Sequence, residues 1–225
     1  MEPIEKSLKS EKQIAIARLQ DLVMDSVMAI EKSIILHGGT AIWRCFGGKR
    51  FSFDLDLYAS EKQFKKLKGN LTWELNKRGV TMDYPQSTAH VINAHNAQAS
   101  VKLEILKKPN GKRSIQKEYV RADGTKMFIN TLSEADFITE KIKAYNSRGY
   151  ARDLYDIYHL LSSNGNISPL LPPYGKPDNK TKKKLREFLK SIIPPKDEKQ
   201  LKELVYEGVA PTFDTIIKYI GDAIK

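Results

Sequence analysis

The sequence predicts an α+β fold followed by an all-helical half. Three observations predict it. Short apolar runs near residues 34–36 and 53–58 are separated by a helix-sized stretch between glycine pairs. Strict alternation then dominates from Thr81 to Asn130, with turn dipeptides inside it. Beyond that point only helical periodicity remains, broken by prolines. The boundary is placed at 1–130 for an α+β domain opened by a helix, and 131–225 for a C-terminal helical domain.

Residues 4–31 carry an apolar stripe at helical spacing that includes Ile14, Ala17, Leu22, Val27 and Ile30, and read as the opening helix. Residues 33–36 form a short strand ending at Gly38-Gly39. Thr40 is placed to cap a short helix through Phe46, and Gly47-Gly48 then breaks the chain. Residues 53–58 form a second strand. Ser60 caps a helix over 61–78 that Gly79 ends. The alternating segments around Val91, Lys102 and Val120 read as antiparallel strands, with Asn110-Gly111 and Asp123-Gly124 as hairpin turns. Ser133 with Asp136 resembles a capping box with Asp in place of Glu. It opens helices over 134–146 and 152–161. A Pro/Gly/Asn-rich loop follows over 162–179. Two or three amphipathic helices, separated by Pro194-Pro195 and Pro211, complete the chain.

With 40% apolar residues the chain can build a packed core. Lys and Arg number 38 against 27 Asp and Glu, a formal charge of +11 that suits a polyanionic partner such as nucleic acid. A generally basic proteome would read the same way. The single cysteine, Cys45, excludes an internal disulfide and a Cys-based metal centre, and its apolar neighbours mark it as a small buried hydrophobe. No apolar run is long enough to span a bilayer, and the N-terminus lacks a signal-type segment, so a cytoplasmic location is expected. The four histidines show no metal-ligand spacing.

The chemistry concentrates in the second apolar run. Asp54 and Asp56 sit two residues apart among Phe53, Leu55, Leu57 and Tyr58, although Asp is a poor strand former. Residues i and i+2 of a strand face the same way, so the two carboxylates converge while Leu55 and Leu57 pack behind them. Paired carboxylates repel unless a proton or a cation intervenes. Oxygen-only ligands suit Mg²⁺ or Mn²⁺ held together with a phosphate substrate. Glu104, alternating with Leu103 and Ile105, is the best third carboxylate; an exposed strand glutamate paired with Lys102 or Lys117 is the plainer reading. Three such groups can hold two Mg²⁺ ions for an in-line displacement. Gly38-Gly39 lets the backbone approach a phosphate at a helix N-terminus.

The motifs HGGTAIW, RFSFDLDLY and KLEI, with EKIKAY and RGYARDLYDIYHLL downstream, resemble the AbiEii-like nucleotidyltransferase toxins of type IV toxin–antitoxin and abortive-infection systems, within the polymerase-beta nucleotidyltransferase superfamily. The matching segments run from about Ile34 to Leu161. The resemblance implies a polymerase-beta-type core, a mixed twisted sheet with helices, and a nucleoside triphosphate substrate with two Mg²⁺ ions. By the same resemblance Asp54, Asp56 and Glu104 are catalytic and metal-binding. Gly38, Gly39, Arg50, Ser52, Lys141 and Asp153 are nucleotide-binding. Phe53 stands where the family more often has a polar residue, which bears on base or acceptor preference. Lys141 also reads as an ordinary helical lysine, and Asp153 as a helix-start carboxylate or as half of an Arg–Asp pair.

The resulting expectation is Mg-dependent transfer of a nucleoside monophosphate to an acceptor hydroxyl, RNA foremost, by a toxin opposed by an antitoxin protein. Two alternatives stay open. A small-molecule nucleotidyltransferase acting on an aminoglycoside-like cation would need an acidic pocket, which the net charge opposes. A catalytically idle binding protein would have no use for the acidic cluster. The basic run Lys180, Lys182, Lys183, Lys184 and Arg186 reads as a solvated helix face or as a phosphate track, and the scarcity of aromatics there favours the solvated face.

Overall fold

The computed structural model describes residues 2–84, 90–112, 114–162 and 177–225. They form two units. The first comprises the chain up to Gly47 together with Phe51–Leu132, and the second comprises Gly48–Arg50 together with Ser133–Lys225. Most of the expected loop at 162–179 lies outside the described residues.

In the first unit, a short 3-10 turn at Ile4–Ser7 leads to helix α1 (Glu11–Ile30), capped by Ser10, whose side chain accepts from the Gln13 amide. Strand β1 (Ile35–His37) passes directly into helix α2 (Gly38–Cys45). Strand β2 (Leu55–Ala59) is followed by helix α3 (Glu61–Asn76), where Ser60 and Gln63 form a reciprocal capping box. Strands β3 (Thr81–Asp83), β4 (Val91–His95), β5 (Ser100–Lys107), β6 (Ser114–Val120) and β7 (Lys126–Leu132) follow.

All seven belong to one sheet of order β3-β4-β5-β2-β1-β7-β6. The β2–β5 and β1–β7 pairs are parallel, and the remaining pairs are antiparallel. The mixed sheet of the α+β expectation is therefore present, with β1 and β2 in its interior. Interior placement explains their composition: Ile35, Leu36, Leu55 and Leu57 are all buried. The Asp123-Gly124 turn does close a hairpin, between β6 and β7. Asn110-Gly111 does not: β2, β1 and β7 lie between β5 and β6, so this segment is a crossover. Gly111 supplies the positive φ of 79° that a turn uses, but pairing is settled by burial, and β5 buries Leu103 and Ile105 by joining β2.

A polar knot ties α1, α2 and β6 together. Arg44 on α2 is almost fully buried; it donates to the carbonyls of Ala17 (3.0 Å) and Val120 (3.2 Å) and lies 4.0 Å from the centre of the Trp43 ring. Asp21 on α1 accepts from the Tyr119 hydroxyl and from the Ala122 amide, both at 2.8 Å. Burial lifts the Asp21 carboxyl above its usual range, and Arg44 and these hydrogen bonds only partly counter it. Cys45 is buried as expected, and burial pushes its thiol up.

The second unit is helical among its described residues: α4 (Glu134–Arg148), α5 (Ala151–Ser162), α6 (Asn179–Ser191), α7 (Glu198–Leu204) and α8 (Phe213–Ala223). Ser133 caps α4 through the Asp136 amide, and Gly149, with φ 68°, ends it, so α4 runs two residues past the expected Asn146. Prolines 194 and 195 separate α6 from α7, and Pro211 separates α7 from α8. Residues 48–50 join this unit as a strap. Arg50 bridges Val205 in antiparallel fashion, Tyr206 donates from its amide to Lys49 O (3.0 Å) and from its hydroxyl to Gly48 O (2.9 Å), and Lys49 pairs with Glu207 at 2.7 Å. No helix of the described residues is long and apolar enough to cross a membrane.

Tyr119→Phe removes one donor to a buried carboxylate. It should lower stability by about 1–3 kcal/mol, read as a lower urea midpoint at unchanged m-value.

Candidate active site

The carboxylate centre is built by the pairing of β1 with β2. Their antiparallel register sets Asp56 opposite His37, one residue before Gly38. Gly38 has φ 73°, and a Cβ added there would fall 2.0 Å from Asp56 Oδ2 and 2.8 Å from its Cγ. Only glycine fits, on both counts. The Asp56 carboxylate thus rests against the first residue of α2, where unbonded amides and the helix dipole favour negative charge. The N-cap residue, His37, makes no side-chain capping hydrogen bond there. His37, at the end of β1, stacks face to face on Tyr58 with ring centres 3.6 Å apart.

Asp54 lies just before β2, which begins at Leu55 and not at Phe53. Both aspartates are half-buried, and Leu55 and Leu57 between and beyond them are fully buried, as the alternation predicts. Asp56 is the register partner of Glu104 on parallel strand β5, so these two carboxylate-bearing residues stand side by side on adjacent strands. Glu104 is half-buried while Leu103 and Ile105 beside it are buried. Among the described residues neither Asp54 nor Glu104 makes an ion pair, so the Lys102 or Lys117 pairing weighed from sequence does not occur there. Likewise among the described residues, no group of three or more His, Cys, Asp or Glu side chains is assembled to hold a metal ion by itself.

Two residues not read from sequence as site-builders pin the entry to this strand. Gln20 on α1 donates through Nε2 to the carbonyls of Ser52 (2.9 Å) and Phe53 (3.1 Å). Thr40 donates through its hydroxyl to the Asp54 carbonyl. Thr40 is therefore no helix cap; α2 already starts at Gly38, and the hydroxyl serves the neighbouring segment instead. Ser52 itself is buried. A lone buried Gln on an apolar helix face was the available signal, since such an amide must find partners.

The second unit holds an ion network. Arg50 donates from Nε and Nη2 to the two oxygens of Asp156, both at 2.6 Å. Lys141 Nζ lies 2.7 Å from Asp156 Oδ2 and 3.4 Å from Asp153 Oδ1. Arg148 grips Asp153 in the same two-pronged way, with both distances 2.7 Å. Asp153, Asp156, Lys141 and Arg50 are buried. Burial alone would raise the Asp156 carboxyl, but Arg50 and Lys141 outweigh it and hold the group below the usual range. Asp153 does belong to an Arg–Asp pair, with Arg148 and not with the adjacent Arg152. The guanidinium of Arg50, expected at the nucleotide, has Asp156 as its partner.

The family model described as "Nucleotidyl transferase AbiEii toxin, Type IV TA system" matches residues 22–219. The chain belongs to this family. The AbiEii assignment makes it a nucleotidyltransferase toxin of a type IV toxin–antitoxin system, which implies a nucleoside triphosphate substrate and an antitoxin partner. Solved structures agree in fold. MenT4, a nucleotidyltransferase toxin from Mycobacterium tuberculosis, superposes with a TM-score of 0.63 at 14% identity, covering 97% of this chain and 85% of that one. JHP933 from Helicobacter pylori gives 0.55 at 15% identity, covering 96% and 92%. Comparison with curated proteins yields no match.

Three outcomes check the carboxylate site and the ion network as built. Gly38→Ala forces a side chain into the space of the Asp56 carboxylate and should cut nucleotidyl transfer at least about tenfold, equal to roughly 1.4 kcal/mol, measured as pyrophosphate released by folded protein. Asp156→Ala strands the buried cations Arg50 and Lys141 and should destabilise by about 3–5 kcal/mol. The sign with pH follows from the lowered carboxyl: its contribution is complete above the unfolded value of about 3.9 and lost as pH falls through the lower folded value. Acid unfolding followed by circular dichroism should therefore show a shallower acid limb for Asp156→Asn than for the native chain.

Proposed function

We propose that this AbiEii chain transfers a nucleoside monophosphate from an NTP to an acceptor hydroxyl on RNA, releasing pyrophosphate. The observation that carries the reading is the seating of the Asp56 carboxylate against the Gly38 backbone, with Glu104 as its neighbour in register. A carboxylate held at a phosphate-binding type of turn gains from a divalent cation between the two anions. The donors are oxygen only and, for Asp54 and Glu104, without ion pairs among the described residues, which fits Mg²⁺ or Mn²⁺. Asp54, Asp56 and Glu104 would hold two such ions, the substrate phosphates completing the ligand set. When bound, the ions supply charge neutralisation for the attacking and leaving oxygens.

The chain's own residues do the rest. Gly38 and Gly39 bring backbone amides to the phosphates at the start of α2. Glu104 orients the attacking hydroxyl and accepts its proton. Gln20 and Thr40 keep Asp54 in place through the backbone they bind. Lys141 is the cation proposed for the triphosphate, its ammonium held by Asp153 and Asp156. Ser52 presents its buried segment beside the first aspartate. The net charge of +11 supports RNA over a cationic small molecule as acceptor, and a cytoplasmic location is the one that agrees with this reading.

Incubation with each labelled NTP, Mg²⁺ and total RNA should transfer label to RNA. Asp54→Ala and Asp56→Asn should each lower the rate by roughly 100-fold or more, a loss of about 3 kcal/mol. Label appearing on small cationic acceptors and never on RNA would overturn the acceptor assignment. Unchanged transfer by both variants would overturn the metal assignment.

A further inference from the structure

Helix α6 presents a second anion surface. Its inner face buries Thr181, Leu185 and Phe188, and its remaining surface carries Lys180, Lys182, Lys183, Lys184, Arg186 and Lys190 against one acid, Glu187. Among the described residues none of these six cations has an ion pair. Lys184 donates to the Thr139 hydroxyl (2.9 Å) and Arg186 to the Ile224 carbonyl (2.8 Å), both uncharged acceptors. Asp178, the nearby acid, is spent as the helix cap, accepting from the Thr181 amide at 2.7 Å.

Among the other exposed lysines of the described residues some find carboxylates and some, such as Lys62 and Lys68, do not, so what sets α6 apart is the density of cations on one helix. Around α3, Lys65 pairs with Glu61, Lys66 with Glu31 and Lys77 with Glu74. A helix face meant only for water gains from such neighbouring pairs, and like charges left together repel. Six cations on 13 residues without a carboxylate partner are a surface awaiting a polyanion. Beside it, a groove of about 500 Å³ between α4 and α6 adds Lys143, Asn146 and Ser191 as donors, with Ile142 and Phe188 beneath and Glu187 as the one acid. Phe188 is buried and set edge-on to Tyr145, so it offers no ring face for a base.

We propose that α6, with Lys143, binds the phosphate backbone of the acceptor RNA without reading its sequence. The inference rests on the RNA reading above. An acidic segment of a protein partner would find the same charge, but a polyanion with one phosphate per nucleotide suits six cations on one helix better than scattered carboxylates do.

The test compares two triple variants of the full chain: Lys180→Gln with Lys183→Gln and Lys190→Gln on α6, and Lys62→Gln with Lys65→Gln and Lys68→Gln on α3. Both remove the same formal charge. Affinity for a mixed tRNA fraction is measured by fluorescence anisotropy across a salt series, and transfer activity separately as pyrophosphate release. The α6 triple should bind RNA at least about tenfold more weakly, with a log–log salt slope reduced by about 2, near 0.7 for each phosphate left without its lysine. The α3 triple should bind like the native chain. Equal behaviour of the two triples, no RNA binding by the native chain, or binding of poly-glutamate as tight as that of RNA would each overturn the inference. Loss of RNA binding in the α6 triple, when the native chain labels no RNA, would sustain this surface while removing the acceptor assignment.

Discussion

The contact between the Asp56 carboxylate and the backbone of Gly38 is the constraint on which the rest of the site depends. It exists because β1 and β2 pair antiparallel in one register, and a slip of one residue would turn both aspartates away. The pairing in turn requires the apolar runs that bury Leu36, Leu55 and Leu57 in the sheet interior. Core packing and chemistry are therefore specified by the same strand. The fixtures around it serve this end: Gln20 and Thr40 satisfy buried carbonyls and, in doing so, set where the first aspartate sits.

The ion network of the second unit and the carboxylate site of the first treat charge in opposite ways. In the second, two buried carboxylates are shared among Arg50, Lys141 and Arg148 until the network carries more cation than anion. Such burial is tolerated because every group has a charged partner at hydrogen-bonding distance. In the first, Asp54 and Glu104 have no such partner among the described residues, in a chain with a large excess of lysine. Acidic groups kept apart from available cations agree with the proposal that their counter-charge arrives with the substrate.

Much of this was legible in the sequence, for local reasons. The alternation around Asp54 and Asp56, the Ser60 helix cap and the Asp123-Gly124 hairpin depend on neighbours a few residues away, and the structure has each of them. Glu104 could be chosen from alternation, although its register with Asp56 spans 48 residues and is set by the sheet as a whole. What misled was local chemistry put to distant use. Thr40 has the residue type of a cap but serves the Asp54 carbonyl. Asn110-Gly111 has the residues of a hairpin turn but joins strands that do not touch. Arg50 stands four positions before Asp54 in the chain, yet its guanidinium lies on Asp156. Nothing within a few residues of these positions records those destinations.

The strap at Gly48–Arg50 has a consequence in time. Its partners Val205 and Tyr206 lie more than 150 positions further along the chain, as in the 158-residue separation between Gly48 and Tyr206. During synthesis the strap must wait, its groups solvated, until nearly the whole second unit has left the ribosome, because contacts this distant cannot close earlier. Arg50 can meet Asp156 once α5 has emerged, but a chain interrupted short of Val205 lacks the backbone bridge and the Tyr206 hydrogen bonds that hold the rest of the strap. The segment that leads into the aspartates is therefore fastened at its N-terminal side only when the chain is nearly complete.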